Sequence, residues 1–267
     1  MKAKVFATLA VLITGAVLLY AVSDFPAFGD PRSPANAGVA GGSPAASLYY
    51  IENTYRDTRV PNLVTAILAD YRGYDTLFET VVIFTAGMAI FAILRVLRRE
   101  ESASGGPAAS APTDPAIDGD HHRIITGMTC RIAVPLVQIF ALYVIAHGHH
   151  SPGGGFQGGV MLGASFILIA LSTTLRNALA RLGEGSFIRL ACLGILIYAG
   201  FGFLPLVFGR NFLDYGALRG LFGTEGEEMA RSHGIFAVEI GVALTVMSVM
   251  FAIFANLSSR GRLRGGL

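Results

Sequence analysis

Arg72, Asp75 and Glu79 stand at intervals of three and four residues in the stretch Asp70-Tyr-Arg72-Gly-Tyr-Asp75-Thr-Leu-Phe-Glu79, at the head of an apolar run. On a helix such positions share one face. Two carboxylates with an arginine as counter-charge can hold or pass a proton or a sodium ion. Ionisable groups at membrane depth are costly, and that cost makes them functional candidates. A plainer use competes with this one. Thr76-x-x-Glu79 fits a capping box, and acids are favoured near a helix N-terminus by its dipole.

A second group lies at His147-Gly-His149-His150-Ser-Pro-Gly-Gly-Gly-Phe-Gln157-Gly-Gly. Three histidines within four residues suit a transition metal, but no carboxylate or cysteine stands nearby in sequence to complete a site. A polar turn at the membrane surface, relaying protons through imidazole, fits His147 and His149 better. Gly155, Gly159 and Gly163 repeat every four residues and clear one stripe of side chains, so another helix can pack closely there. Glu239 falls about one turn inside the last apolar run, with His233 just before it. It is read equally as an ion-path group and as a structural hydrogen-bond partner. Arg131 is placed to snorkel to the interface, and Pro135 to kink the helix that also carries Gln138. Gly163-Ala-Ser165 resembles the start of an intramembrane serine-protease motif. Phe166 stands where that motif needs glycine, and no histidine lies inside a later helix to act as base.

The elements that must position these groups follow from composition. Hydrophobic residues make up 53% of the 267 and charged ones 14%, against about 25% charged in soluble domains. Mean hydropathy is +0.57. A soluble enzyme or a disordered scaffold is excluded, because a folded soluble chain needs a polar exterior. The net charge of +2 implies no nucleic-acid partner. Cys130 and Cys192 have no partner at metal-site spacing, and an iron–sulfur cluster generally needs four thiolates.

A span needs about 20 mainly apolar residues. Six segments are predicted, at about 4–22, 76–97, 124–146, 156–175, 187–208 and 235–255, all continuous rather than alternating. The fold class is therefore all-α, a polytopic membrane protein with about six transmembrane helices. The first segment is also read as a signal peptide, with Ala21-Val22-Ser23 as a cleavage site, but its apolar length favours a retained helix. Residues 23–47 and 100–120 are rich in Pro, Gly, Ala and Ser and read as linkers. The second linker separates a two-helix unit, 1–99, from a four-helix unit, 121–267. Lys and Arg near the span ends place both termini in the cytoplasm.

Arg131-Ile-Ala-Val-Pro-Leu-Val-Gln-Ile-Phe-Ala-Leu-Tyr143, followed by Gly148-His-His-Ser-Pro-Gly-Gly-Gly-Phe-Gln-Gly-Gly159, resembles the MnhB (MrpB) subunit of Mrp-type cation/proton antiporters. Phe236-Ala-Val-Glu239-Ile-Gly-Val-Ala-Leu244 is similar to that family's last helix. The stretch from Asn62 to Glu79 resembles the MbhE-like region, with Phe78 where that family usually has glycine. The resemblance implies a fusion of two neighbouring pieces and strengthens the ion-handling reading of Asp75 and Glu79. It also implies a transport-complex subunit of the cell (inner) membrane with no cofactor and no catalytic site of its own. In such complexes the pumping modules are large antiporter-like subunits with a central lysine. Here Lys2 and Lys4 are the only lysines, so this chain is expected to partner those subunits, in contact with sodium ions, protons and the lipid bilayer. The same subunit type is expected in membrane-bound hydrogenases and related redox-driven complexes.

Overall fold

The computed structural model describes residues 2–23, 25, 30, 46–103 and 120–259. The two expected linkers lie almost wholly outside these residues. The chain divides into two compact units, Met1–Asn53 and Thr54–Leu267. The first contains α1 (Lys2–Ser23), a helix whose described side chains are almost all exposed. Its apolar part, Thr8–Ser23, is shorter than the other membrane-length helices. Helix α2 (Ala46–Thr58) follows.

The second unit holds five helices long and apolar enough to cross a membrane. They are α3 (Gly73–Ala103), α4 (Asp120–His147), α5 (Gly155–Ser172), α7 (Glu184–Val207) and α8 (Glu227–Ser258), with the short α6 (Leu175–Arg181) between α5 and α7. Five spans and a shorter apolar first helix make this a polytopic, all-α membrane protein. Helix α4 runs unbroken through Pro135. Helix α8 begins eight residues before the predicted Ile235, because its first two turns are polar and a search for apolar runs passes over them. Glu227 and Glu228 there complement the helix dipole.

Helix α8 is the axis of the unit. Of its membrane-length window 72% is buried, against 39% or less for each of the other four. Glycines set how closely its neighbours approach. Gly155, Gly159 and Gly163 of α5 lie against Glu239, Ala243 and Met247 of α8, a second series with the same four-residue spacing. A methyl group on Gly159 would stand 2.8 Å from the Ala243 carbonyl oxygen, and one on Gly155 would run into that of Glu239. On the α7 side, a methyl on Gly241 would come within 2.6 Å of the Gly194 oxygen. Thr245 Oγ1 donates across that contact to the Ala191 carbonyl, at 3.1 Å. Among lipid tails helices gain nothing by hiding apolar surface from water, so this van der Waals contact is what joins them.

Two side-chain clusters complete the packing. At one end Phe91, Phe187 and Phe251 meet with ring centroids 6.0 and 6.2 Å apart, closed by Ala178 and Leu182 around α6. At the other, Tyr198, Tyr215, Ile235 and Val238 pack on Val60, Ala66, Ala69 and Leu77. The backbone between α2 and α3 is therefore buried against α7 and α8. Gly194→Val would drive two methyls into Thr245 and the Gly241 carbonyl, at a cost of about 1–3 kcal/mol from overpacking. Gly185→Ala, where a Cβ meets nothing within 4 Å, should leave stability unchanged. Thermal unfolding of the purified membrane protein in mild detergent measures the difference.

Candidate ion-handling site

The chain ahead of α3 is not a plain helix. Asn62 caps a single turn, Leu63–Ala66, accepting from the Val64 and Thr65 N–H groups at 3.1 and 3.4 Å. That turn widens into a π-turn, Ile67–Tyr71. The Arg72 N–H closes it by donating to the Ile67 carbonyl at 2.7 Å. Carbonyls around this break are satisfied from elsewhere, as buried backbone requires. Thr76 Oγ1 donates to that of Leu68 at 2.8 Å. Tyr215 Oη donates to that of Ala69 at 3.1 Å, and Tyr198 Oη to that of Gly73 at 2.7 Å. Because α3 already starts at Gly73 and Thr76 turns back to Leu68, the expected capping box with Glu79 does not form.

The π-turn also presents Asp70 to α8. Arg231 Nε donates to Asp70 Oδ2 at 2.8 Å, and Arg231 Nη2 donates to Oδ1. The Asp70 side chain is 7% exposed and that of Arg231 26%. Burial pushes the Asp70 carboxyl above its ordinary range, against the pull of Arg231. The pair borders a cavity of about 380 Å³ whose wall includes Tyr71, Tyr74, Phe212 and Asp214. Sequence reasoning does not find this pair. It counts Arg231 among loop arginines, and nothing in the spacing joins two residues 161 positions apart.

Arg72 and Asp75 form a salt bridge at the surface, their side chains 63% and 47% exposed. Glu79 is exposed one turn further along α3, beside exposed Phe78 and Val82. Glu239, by contrast, is buried under the α4–α5 loop, and the Gly155 N–H donates to its carboxylate. The loop is tied down from the other side. Asn62 Nδ2 donates to the Gly148 and Ser151 carbonyls at 2.8 and 2.7 Å, Thr65 Oγ1 to Gly148 at 2.8 Å, and Asn62 N–H to His149 at 3.2 Å. His147 turns outward and stacks on Tyr143, centroids 4.2 Å apart. His149 lies between His150 and Phe236. Burial and the neighbouring His150, His147 and His233 push its imidazolium below the ordinary range.

The candidates thus fall into an outer group, Arg72, Asp75 and Glu79, and a buried group, Glu239 with His149. Between them stands the hydroxyl of Tyr198, within electrostatic reach of both Glu79 and Glu239. Ser165 is a packing residue, its hydroxyl donating to Leu162 and accepting from Gln138 at 3.1 Å. Among the described residues no group of three His, Cys, Asp or Glu side chains is placed to hold a metal ion.

A bundle of membrane-length helices with acids on and inside it defines a polytopic membrane subunit that carries ionisable groups into the bilayer. The chain belongs to the MnhB family and carries an MbhE-like region fused ahead of it. Residues 125–252 match the domain related to the MnhB subunit of Na+/H+ antiporter. Residues 42–110 match MbhE, the E-type component of MBH. The mnhB2 antiporter subunit of Staphylococcus haemolyticus (strain JCSC1435) is 32% identical over 51% of this chain and 94% of its own length. A fused A/B component of a probable K(+)/H(+) antiporter, from Rhizobium meliloti (strain 1021), is 27% identical over 74% of this chain. This chain spans only 21% of that protein's length. Two solved structures share the fold at 23% identity, each covering 96% of this chain. A chain of the Mrp complex from Dietzia sp. DQ12-45-1b has a TM-score of 0.63 with 26% of its length covered. A chain of the membrane-bound sulfane sulfur reductase, an archaeal respiratory membrane complex, has 0.61 with 98% covered.

Removing one member of a buried pair leaves the other charge uncompensated, a loss of about 3–5 kcal/mol. Arg231→Met should therefore lower the unfolding temperature of the detergent-solubilised protein more than the double change Arg231→Met with Asp70→Asn. Equal losses would show that the pair contributes nothing beyond its packing.

Proposed function

We propose that this chain is a membrane subunit of a multi-subunit Mrp-type sodium/proton antiporter, contributing part of an ion path and a docking surface for larger antiporter-like subunits. One observation carries the reading: Glu79 is exposed on a membrane-length helix among exposed Phe78 and Val82. A carboxylate at that depth belongs against protein or a water-filled passage rather than lipid. A neighbouring subunit that covers this face encloses Asp75 and Glu79, with Arg72 as their counter-charge. Glu239, His149 and His147 form a second stretch of the path, reached through the loop that Asn62 holds. Both termini lie in the cytoplasm, on the arginine bias of the loops. The 100–120 segment joins the MbhE-like piece to the MnhB-like piece.

A second reading places the same subunit in a redox-driven complex, where electron transfer elsewhere drives ion movement here. It is supported by the likeness to the sulfane sulfur reductase chain over nearly that chain's whole length. Gentle-detergent purification of the tagged chain from its native membrane separates the two. Large antiporter-like partners without metal-bearing ones favour the antiporter, and metal-bearing partners the redox complex.

Glu79→Gln keeps the shape of the side chain and removes its charge. The expected result is loss of sodium/proton antiport in inverted membrane vesicles while the complex still purifies intact. Antiport at the wild-type rate in that variant would end the ion-path role of Glu79.

A further inference from the structure

Glu239 sits more than three helical turns into α8, counted from Glu227, and is 7% exposed. Its carboxyl is walled by backbone. A methyl on Gly154 would stand 2.6 Å from Oε1, and one on Gly148 2.9 Å from Oε2. Gly154 also has φ +143°, a conformation L side chains rarely adopt. The enclosure is thus shaped around a carboxyl group and admits no side chain in its place. Within it the Gly155 N–H donates to the carboxylate, while the buried Oε2 has no hydrogen-bond partner among the described residues.

The next buried polar atom in the same condition is close by. His149 follows Gly148, its ring lies on Phe236 at 5.7 Å between centroids, and Phe236 precedes Glu239 by one helical turn. His149 Nδ1 is buried and likewise without a hydrogen-bond partner among the described residues. Unsatisfied pairs of this kind mark a place for water. The occupant is not a bare metal cation, which needs a shell of several oxygens. The loop carbonyls of Gly148, Ser151 and His149 are already engaged by Asn62 and Thr65, and that of His147 by the His150 and Ser151 N–H groups.

We infer that Glu239 and His149 form a proton-exchange site, in which the imidazole relays protons between the loop surface and the enclosed carboxyl through a bridging water. In the inward step the imidazolium releases its Nδ1 proton to the water as the water releases one to Oε2. The products are neutral imidazole, water and a neutral carboxyl, so neither charge nor atoms are left over. The other titratable groups facing the pair are His147 and His150 on the loop, His233 on α8 and the Tyr198 hydroxyl on α7. This deepens the ion-path reading and rests on it for its physiological purpose. The site itself is testable without transport.

The test is rapid-mixing infrared spectroscopy of the intact purified complex, following the carboxyl C=O band of Glu239 during transfer into D₂O. Glu239→Gln assigns the band by its disappearance, and Glu239→Asp assigns it by a shift if the glutamine variant does not assemble. The expected result is a band that appears and vanishes with pH and shifts rapidly in D₂O. In His149→Ala the deuterium shift should slow on the order of 100-fold, and added imidazole should restore it. His149→Gln, which retains a polar side chain, should be as slow as the alanine variant. A Glu239 band that never responds to pH, or one that exchanges at the wild-type rate without His149, overturns the proposal. Full antiport in Glu79→Gln would overturn the outer path alone, since this measurement reads one carboxyl and no transport.

Discussion

The close approach of α5 to α8 is the contact on which the rest of the structure depends. Gly155, Gly159 and Gly163 bring α5 against the backbone of α8 at Glu239, Ala243 and Met247. With the helices this near, the start of α5 points its N–H groups at Glu239, and the loop before it folds over the carboxyl. A larger residue at Gly155 would meet the Glu239 carbonyl itself. Packing and chemistry are therefore one feature at this crossing: the glycines that join the helices also enclose the acid.

The segment ahead of α3 is held by a different rule, that no backbone polar group stays unpaired where water is absent. The π-turn at Ile67–Tyr71 leaves carbonyls pointing away from their helix, and the hydroxyls of Thr76, Tyr215 and Tyr198 meet them. Two of those hydroxyls come from the MnhB-like part of the chain, and so does Arg231, the partner of Asp70. Asn62 completes the junction by capping its own turn and holding the α4–α5 loop. The break in the helix is thus the means by which the MbhE-like segment is keyed to its neighbour.

These two arrangements give the acids opposite surroundings. Asp75 and Glu79 stand on the outer face of α3, available to another subunit, whereas Glu239 is closed off within this one. The hydroxyl of Tyr198 lies between them, buried and already hydrogen-bonded to the Gly73 carbonyl. A path from the outer group to the inner one would have to pass this tyrosine.

The membrane class, the all-α fold and the regions of the spans follow from the amino-acid order, because the bilayer demands long apolar runs and those are visible in one dimension. The four-residue glycine repeat and the family motifs are legible for the same reason, being local patterns. Other features depend on contacts between distant segments. The partner of Asp70 lies on α8, the hydroxyls that relieve the π-turn come from Tyr198 and Tyr215, and the lid over Glu239 comes from a loop some ninety positions earlier. The start of α8 escapes a search for apolar runs because its first turns are polar although helical. That Glu239 is buried while Glu79 is exposed is settled by the packing, since burial depends on which helices meet and how closely.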